Sequence, residues 1–231
     1  MIMSEVVEEH PSLIPVINRF GIRLGLGDKL IKAICEEHNL DPDFLLIVIN
    51  TFLNDEYFPE ERLQAFHVSL IVDYLRKTNH YYLNSQLPNI ERHLALFISK
   101  SKGGNQSLEL IGRFFAEFKE LLTKRIEDDE KELFPNTLMM CDKIANEHKD
   151  LIYVPVERDS YMAEDPIDAL LADLKSIMIK HLSGDYDNNL CYAVIFSICS
   201  LERDMKQHNR IRYRILKTMI LAMTNICHGS V

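Results

Sequence analysis

The sequence is poor in residues that interrupt helices, and it has no long apolar run. Glycine and proline occur eight times each among the 231 residues, and the short β-branched runs that could form strands are embedded in helical spacing. No apolar stretch reaches the ~18 residues that a membrane span needs, and the first residues lack the basic and apolar regions of a signal peptide. These absences predict an all-α protein without a membrane span, in the cytoplasm.

Positive charge and paired cysteines are scarce as well. The formal net charge is −9, whereas proteins that bind nucleic acids or anionic membranes usually present basic surfaces, so we expect neither partner. The five cysteines are scattered, without a disulfide framework or a zinc-binding CxxC pair, and are interpreted as buried free thiols. A nucleophile elbow, a phosphate-binding glycine loop and an HExxH helix are all missing, which disfavours a conventional hydrolase or transferase.

Helical patterns of different length divide the chain into two predicted domains. Residues 1–55 carry short apolar helices, one of which is predicted to begin at Pro42 with Asp41 as its N-cap. Residues 54–62 are polar and predict a linker. Residues 63–231 then predict a bundle of four long helices, at about 65–101, 106–133, 136–153 and 188–226, with an accessory helix near 167–182.

A polar residue interrupts the apolar stripe of each long helix. Residues three or four positions apart share a helix face, and counting along the four stripes leads to His80, Asp129, His148 and His208. A buried charge is costly unless it is paired or binds a metal. One such residue in each helix therefore predicts a polar layer across the bundle, where helical proteins build metal sites. The alternative is four unrelated polar residues at helix ends or edges.

At these positions the sequence resembles the hemerythrin-like di-iron proteins, in particular those that repair iron–sulfur clusters. The matching segments are His80 with Leu87-Pro88, Leu133-Phe134-Pro135, Asn146-Glu147-His148 and the stretch from His208 to Leu216. Within residues 1–55, Phe20-Gly21-Ile22 is similar to part of the small domain that precedes the bundle in these proteins. The resemblance implies an up-down four-helix bundle behind a small N-terminal helical domain, with iron as the metal.

Two of the six positions that bind iron in this family carry arginine here. The resemblance places the six on His80, Arg125, Asp129, His148, His208 and Arg212. A guanidinium does not deprotonate in a protein and is no metal ligand, and Asp129 stands where the family has glutamate. The resemblance therefore implies a partly lost di-iron site. At most a mononuclear iron site is expected, formed by His80, Asp129, His148 and His208.

Two functions follow from these residues, and the sequence leaves both open. In the first, the protein is a hemerythrin-like, iron-binding stress protein related to iron–sulfur-cluster repair proteins, and its partners are iron–sulfur proteins or another protein. In the second, it is a metal-free helical module for interaction or ligand sensing, and Arg125 and Arg212 supply the core charge. In that case we expect Arg125 to pair with Asp129, one helical turn away, and Arg212 to reach the same carboxylate or Asp204.

Overall fold

The computed structural model describes residues 1–101, 106–146 and 165–227. Within these ranges helices, joined by turns and loops, are the regular secondary structure and there is no strand; Ile2 and Leu30 form an isolated antiparallel bridge. The all-α class predicted from the sequence is thereby confirmed. None of the helices in these ranges combines the length and the hydropathy that a membrane span requires.

Short helices make up the first part of the chain. They are α1 (Met3–Glu9), α2 (Ile14–Arg19), α3 (Ile31–Glu37), α4 (Pro42–Leu53) and α5 (Glu60–Gln64), with a 3-10 turn at Pro11–Leu13. Asp41 caps α4 as predicted, because its Oδ1 accepts hydrogen bonds from the N–H groups of Asp43 and Phe44 at 2.8 and 2.9 Å. The sequence predicts a linker at residues 54–62, and α5 begins within that segment.

In the described ranges three long helices follow, each with a π-helical turn in its interior. The first comprises α6 (Val68–Tyr81), a π turn at Tyr82–Gln86 and α7 (Leu87–Lys100). The second comprises α8 (Gln106–Asp128), a π turn at Asp129–Leu133 and α9 (Phe134–Asn146). The last comprises α11 (Asn188–Arg210), a π turn at Ile211–Leu216 and α12 (Lys217–Cys227), and α10 (Pro166–His181) lies before it in the chain.

The second long helix contradicts the predicted break before Pro135. The sequence predicts one helix to about residue 133 and another over 136–153, but a single helix continues from Gln106 to Asn146. In the π turn, the N–H of Phe134 bonds to the carbonyl of Asp129, five residues earlier. A proline in a regular helix clashes with the carbonyl four residues before it. We infer that the wider π turn relieves this clash, so that the helix passes the proline.

The described residues group into two compact units. The first contains residues 1–78, 137–146 and 210–227, and the second contains residues 79–101, 106–136 and 165–209. The predicted division into domains at 1–55 and 63–231 stays a prediction.

The first unit packs its short helices around an aromatic cluster. The ring of Phe20, after α2, stacks on Tyr74 of α6 with centroids 5.7 Å apart. Phe44 of α4 meets Phe66 edge to face at 5.2 Å. Since aromatic pairs add to the energy of apolar burial, these contacts fix α2 and α4 against the start of the first long helix.

The second unit has one apolar core, formed by α7, α8, α10 and α11. α10 is a full member of this core rather than the predicted accessory helix. It packs against α8 and buries four apolar side chains at helical spacing: Ile167, Leu171, Leu174 and Met178. The core of the second unit therefore contains α10 in addition to α7, α8 and α11. Of the helix predicted at 136–153, residues 147–153 lie outside the described residues.

Candidate functional site

The first π turn moves the buried face of its helix by one residue. Tyr82 and Leu87 are both buried although they stand five positions apart, and Gln86 beside Leu87 is buried as well, whereas the buried residues of a regular helix recur every three or four positions. Counting back from Leu87 in regular steps leads to His80, but the buried residue at that level is Asn79, which is 1% exposed. The predicted apolar stripe is therefore wrong by one residue before the π turn.

The four predicted site residues differ in their surroundings. His80 is exposed, and its Nδ1 lies 3.1 Å from Nδ2 of Asn84 on the same helix. Asp129 and His208 are buried, with 2% and 1% of their surface exposed. His148 lies outside the described residues. The imidazole of His208 meets the ring of Tyr82 edge to face, with centroids 5.6 Å apart, which joins the first and the last long helix.

Buried polar side chains accumulate next to the apolar core of the second unit. They are Asn79, Gln86, Asp129, Asp204, Gln207, His208 and Asn209. Three long helices contribute to this set, and the layer across all four predicted helices stays a prediction. Asp204 stands one turn before His208, so both face the interior from α11.

Arg125 joins the polar layer to the start of α10. Its Nη1 donates a hydrogen bond to Oδ2 of Asp165 at 2.6 Å, and the two side chains are only 12% and 9% exposed. Nδ2 of Asn209 donates to Oδ2 of Asp168 at 2.7 Å and lies 3.5 Å from Oδ2 of Asp165. We call these four residues the Arg125 cluster. Arg125 thus pairs with Asp165, not with Asp129 as the sequence suggested.

Burial is the largest influence on the pKa of the Asp168 carboxyl. Desolvation raises the pKa of the Asp168 carboxyl, against a lowering effect of the hydrogen bond from Asn209. The neighbouring carboxylates of Asp165 and Glu202 raise it further, and Arg125 lowers it. Since the cluster has two aspartates and one guanidinium, it is negative when both carboxyls are ionised.

Two atoms of the cluster retain hydrogen-bonding capacity. Nη2 of Arg125 and Oδ1 of Asn209 are buried and bond to no group of the described residues. One is a donor and the other an acceptor. Because buried polar atoms are normally satisfied by protein, ligand or ordered water, the cluster can take up a further group that both accepts and donates.

The residues present do not fit a di-iron centre. Within the described ranges, no three His, Cys, Asp or Glu side chains are grouped so that they could hold a metal ion. His80 is exposed, and Arg125 stands where the resemblance implies a histidine ligand. Arg212 is buried in the first unit, with its guanidinium 4.9 Å from the centre of the Tyr213 ring. A guanidinium neither binds Fe²⁺ nor loses its charge, so each arginine removes a ligand.

Sequence reasoning missed Asp165, Asp168 and Asn209. One signal was available for Asp165, because the Asp-Pro pair at 165–166 has the same N-cap pattern as Asp41-Pro42. Oδ1 of Asp165 accepts a hydrogen bond from the N–H of Ile167 at 2.9 Å. Its pairing with a residue 40 positions away left no signal in local spacing.

Comparison with known proteins gives no assignment, since neither any protein-family model nor any curated protein matches the chain. The fold and the site alone define the class: an all-α protein in which a four-helix apolar core adjoins a buried polar layer.

Proposed function

We propose that this chain is a hemerythrin-like helical module in which an ion-pair cluster stands in place of the di-iron centre, and that it senses a small polar ligand. The observation that carries the proposal is the salt bridge between Arg125 and Asp165 at 2.6 Å, inside the second unit. The guanidinium supplies the positive charge that a metal ion supplies in the family. Arg212 would do so in the first unit.

The spare hydrogen-bonding atoms of the cluster favour a ligand over a purely structural network. Nη2 of Arg125 and Oδ1 of Asn209 offer a donor and an acceptor beside the carboxylate of Asp165. A small molecule with an amide or a hydroxyl group presents the complementary pair. Because both atoms are buried, the hydrogen bonds that the ligand forms with them would replace the hydrogen bonds that it loses to water on binding.

A second candidate is an iron-binding protein related to iron–sulfur-cluster repair proteins, with a role in stress and one metal site. It is favoured by the burial of Asp129 and His208 in the same unit and by Asp204, one turn before His208. Imidazole and carboxylate ligands suit Fe(II). In this candidate His80 and His148 complete the site, which requires His80 to leave its exposed position.

Metal analysis separates the two candidates. The full chain is incubated anaerobically with Fe(II), desalted and measured by mass spectrometry, with circular dichroism to show that it is folded. Under the proposed function no iron is retained. About one iron per chain that is lost in a His208→Ala variant would establish the second candidate, and about two irons would contradict both interpretations of the arginines.

A further inference from the structure

The first unit contains a cavity of about 360 Å³. It is formed by the loop between α2 and α3 and by the end of α3. Its charged and titratable lining residues are Arg23, Lys29, Glu37 and His38, and apolar side chains including Leu24 and Leu26 complete the walls. The cavity therefore combines a basic lining with an apolar wall, independently of the proposed function.

The charges of the lining leave one cation available. Nζ of Lys29 binds both carboxylate oxygens of Glu37 at 2.8 Å, so these two charges offset each other. Arg23 is exposed and forms no ion pair with a described residue. Arg23, Lys29 and Glu37 together give the cavity lining a net charge of +1.

The backbone of the loop adds hydrogen-bond donors. Gly25 and Gly27 have φ values of +94° and +57°, whereas Leu24 and Leu26 have negative φ, so the handedness of the backbone alternates along four residues. An alternation of the sign of φ is a feature of the backbone nests that bind anions through successive N–H groups. No N–H from Arg23 to Asp28 donates a hydrogen bond to a described residue.

We propose that this cavity binds a small oxyanion, a phosphate or a carboxylate, between the N–H groups of residues 23–26 and the guanidinium of Arg23. Arginine and backbone N–H groups are the donors that match such head groups. The side chains of Leu24 and Leu26 would contact an apolar part of the molecule. Because Glu37 lies at the cavity wall, its carboxylate limits the affinity through repulsion.

The test is a titration of the 15N-labelled full chain with inorganic phosphate, and in parallel with acetate, at constant ionic strength set by chloride. We expect saturable shifts of the amide signals of residues 21–29. Arg23→Gln should raise the dissociation constant about tenfold, since a charge-assisted hydrogen bond is lost. Glu37→Gln should lower it, because repulsion is removed; loss of folding could not produce tighter binding.

Arg62→Gln serves as the matched control, since Arg62 is an exposed arginine of the same unit outside the cavity. It should leave the dissociation constant unchanged. Tighter binding of phosphate or of acetate identifies the head group. Shifts that do not saturate, or that are the same in the Arg23→Gln and wild-type proteins, would overturn the proposal.

Discussion

Asp165 performs two tasks with the two oxygens of one carboxylate. Oδ1 caps α10 by accepting from the N–H of Ile167, and Oδ2 accepts from Arg125. The salt bridge thus attaches the first turn of α10 to α8. A salt bridge with this little exposure costs more when one partner is removed than the whole pair contributes, because the remaining charge stays buried.

Arg125→Gln should lower the free energy of unfolding by about 3 kcal/mol, because it leaves the carboxylate of Asp165 buried without its cation. Adding Asp165→Asn should recover most of that loss, since asparagine also caps helices and carries no charge. Urea unfolding followed by circular dichroism measures both effects. Arg113→Gln, at an exposed position of the same helix, is the control, and an equal loss there would contradict this account.

The raised pKa of Asp168 predicts a pH dependence of stability. A carboxyl whose pKa is higher in the folded protein binds more protons there than in the unfolded chain, so stability falls as the pH rises from the ordinary carboxyl range through the folded pKa. Asp168→Asn should remove this contribution and still accept the hydrogen bond from Asn209. Urea midpoints between pH 4 and 7 should therefore decline less in the variant. An unchanged pH profile would show that burial of Asp168 does not govern the cluster.

At the scale of elements, two of the π turns end at the same distance before a proline. Pro88 stands two residues after the end of the first π turn at Gln86, and Pro135 stands two residues after the end of the second at Leu133. The N–H of Leu87 bonds to the carbonyl of Tyr82, five residues earlier. The turn widens the helix just before the proline ring, which a regular helix would not accommodate.

Deleting Ser85, an exposed residue of the first π turn, tests this coupling. The deletion restores four-residue spacing between Tyr82 and Leu87, so the buried faces stay aligned, but it places Pro88 in a regular helix at a cost of about 3 kcal/mol. Combining it with Pro88→Ala should therefore recover most of the stability, as measured by thermal unfolding. Deleting exposed Arg92 turns the rest of α7 by about 100°, and Pro88→Ala should not rescue it; rescue there would refute the mechanism.

Element types were predictable because they follow from local spacing, whereas register was not. Asp41 and Pro42 signal the start of α4 without reference to any other part of the chain. His80 was predicted to face the core because counting assumed 3.6 residues per turn, and one extra residue in the π turn exposed it and buried Asn79 instead. Proline signals a helix end in the sequence, but at Pro135 the turn before it lets the helix continue.

At the scale of the whole molecule, tertiary packing determines which helices form the core and which polar residues meet, and local sequence patterns do not show this. α10 has the apolar spacing of a core helix, but only its contact with α8 shows that it completes the core of the second unit. The Arg125 cluster likewise draws residues from α8, α10, α11 and the segment before α10. The long helices have residues in both compact units, a grouping that local helical spacing does not signal.

The π turns also affect which insertions and deletions such a protein can tolerate during evolution. The insertion or deletion of one codon inside a regular helix rotates the rest of the helix by about 100° and turns its apolar face away from the core. Where a helix can store the extra residue as a local widening, the same change exchanges which neighbouring side chain faces the interior and leaves both flanks in place. The insertion or deletion of one codon can then change which of two neighbouring residues, here Asn79 and His80, faces the interior, without any substitution.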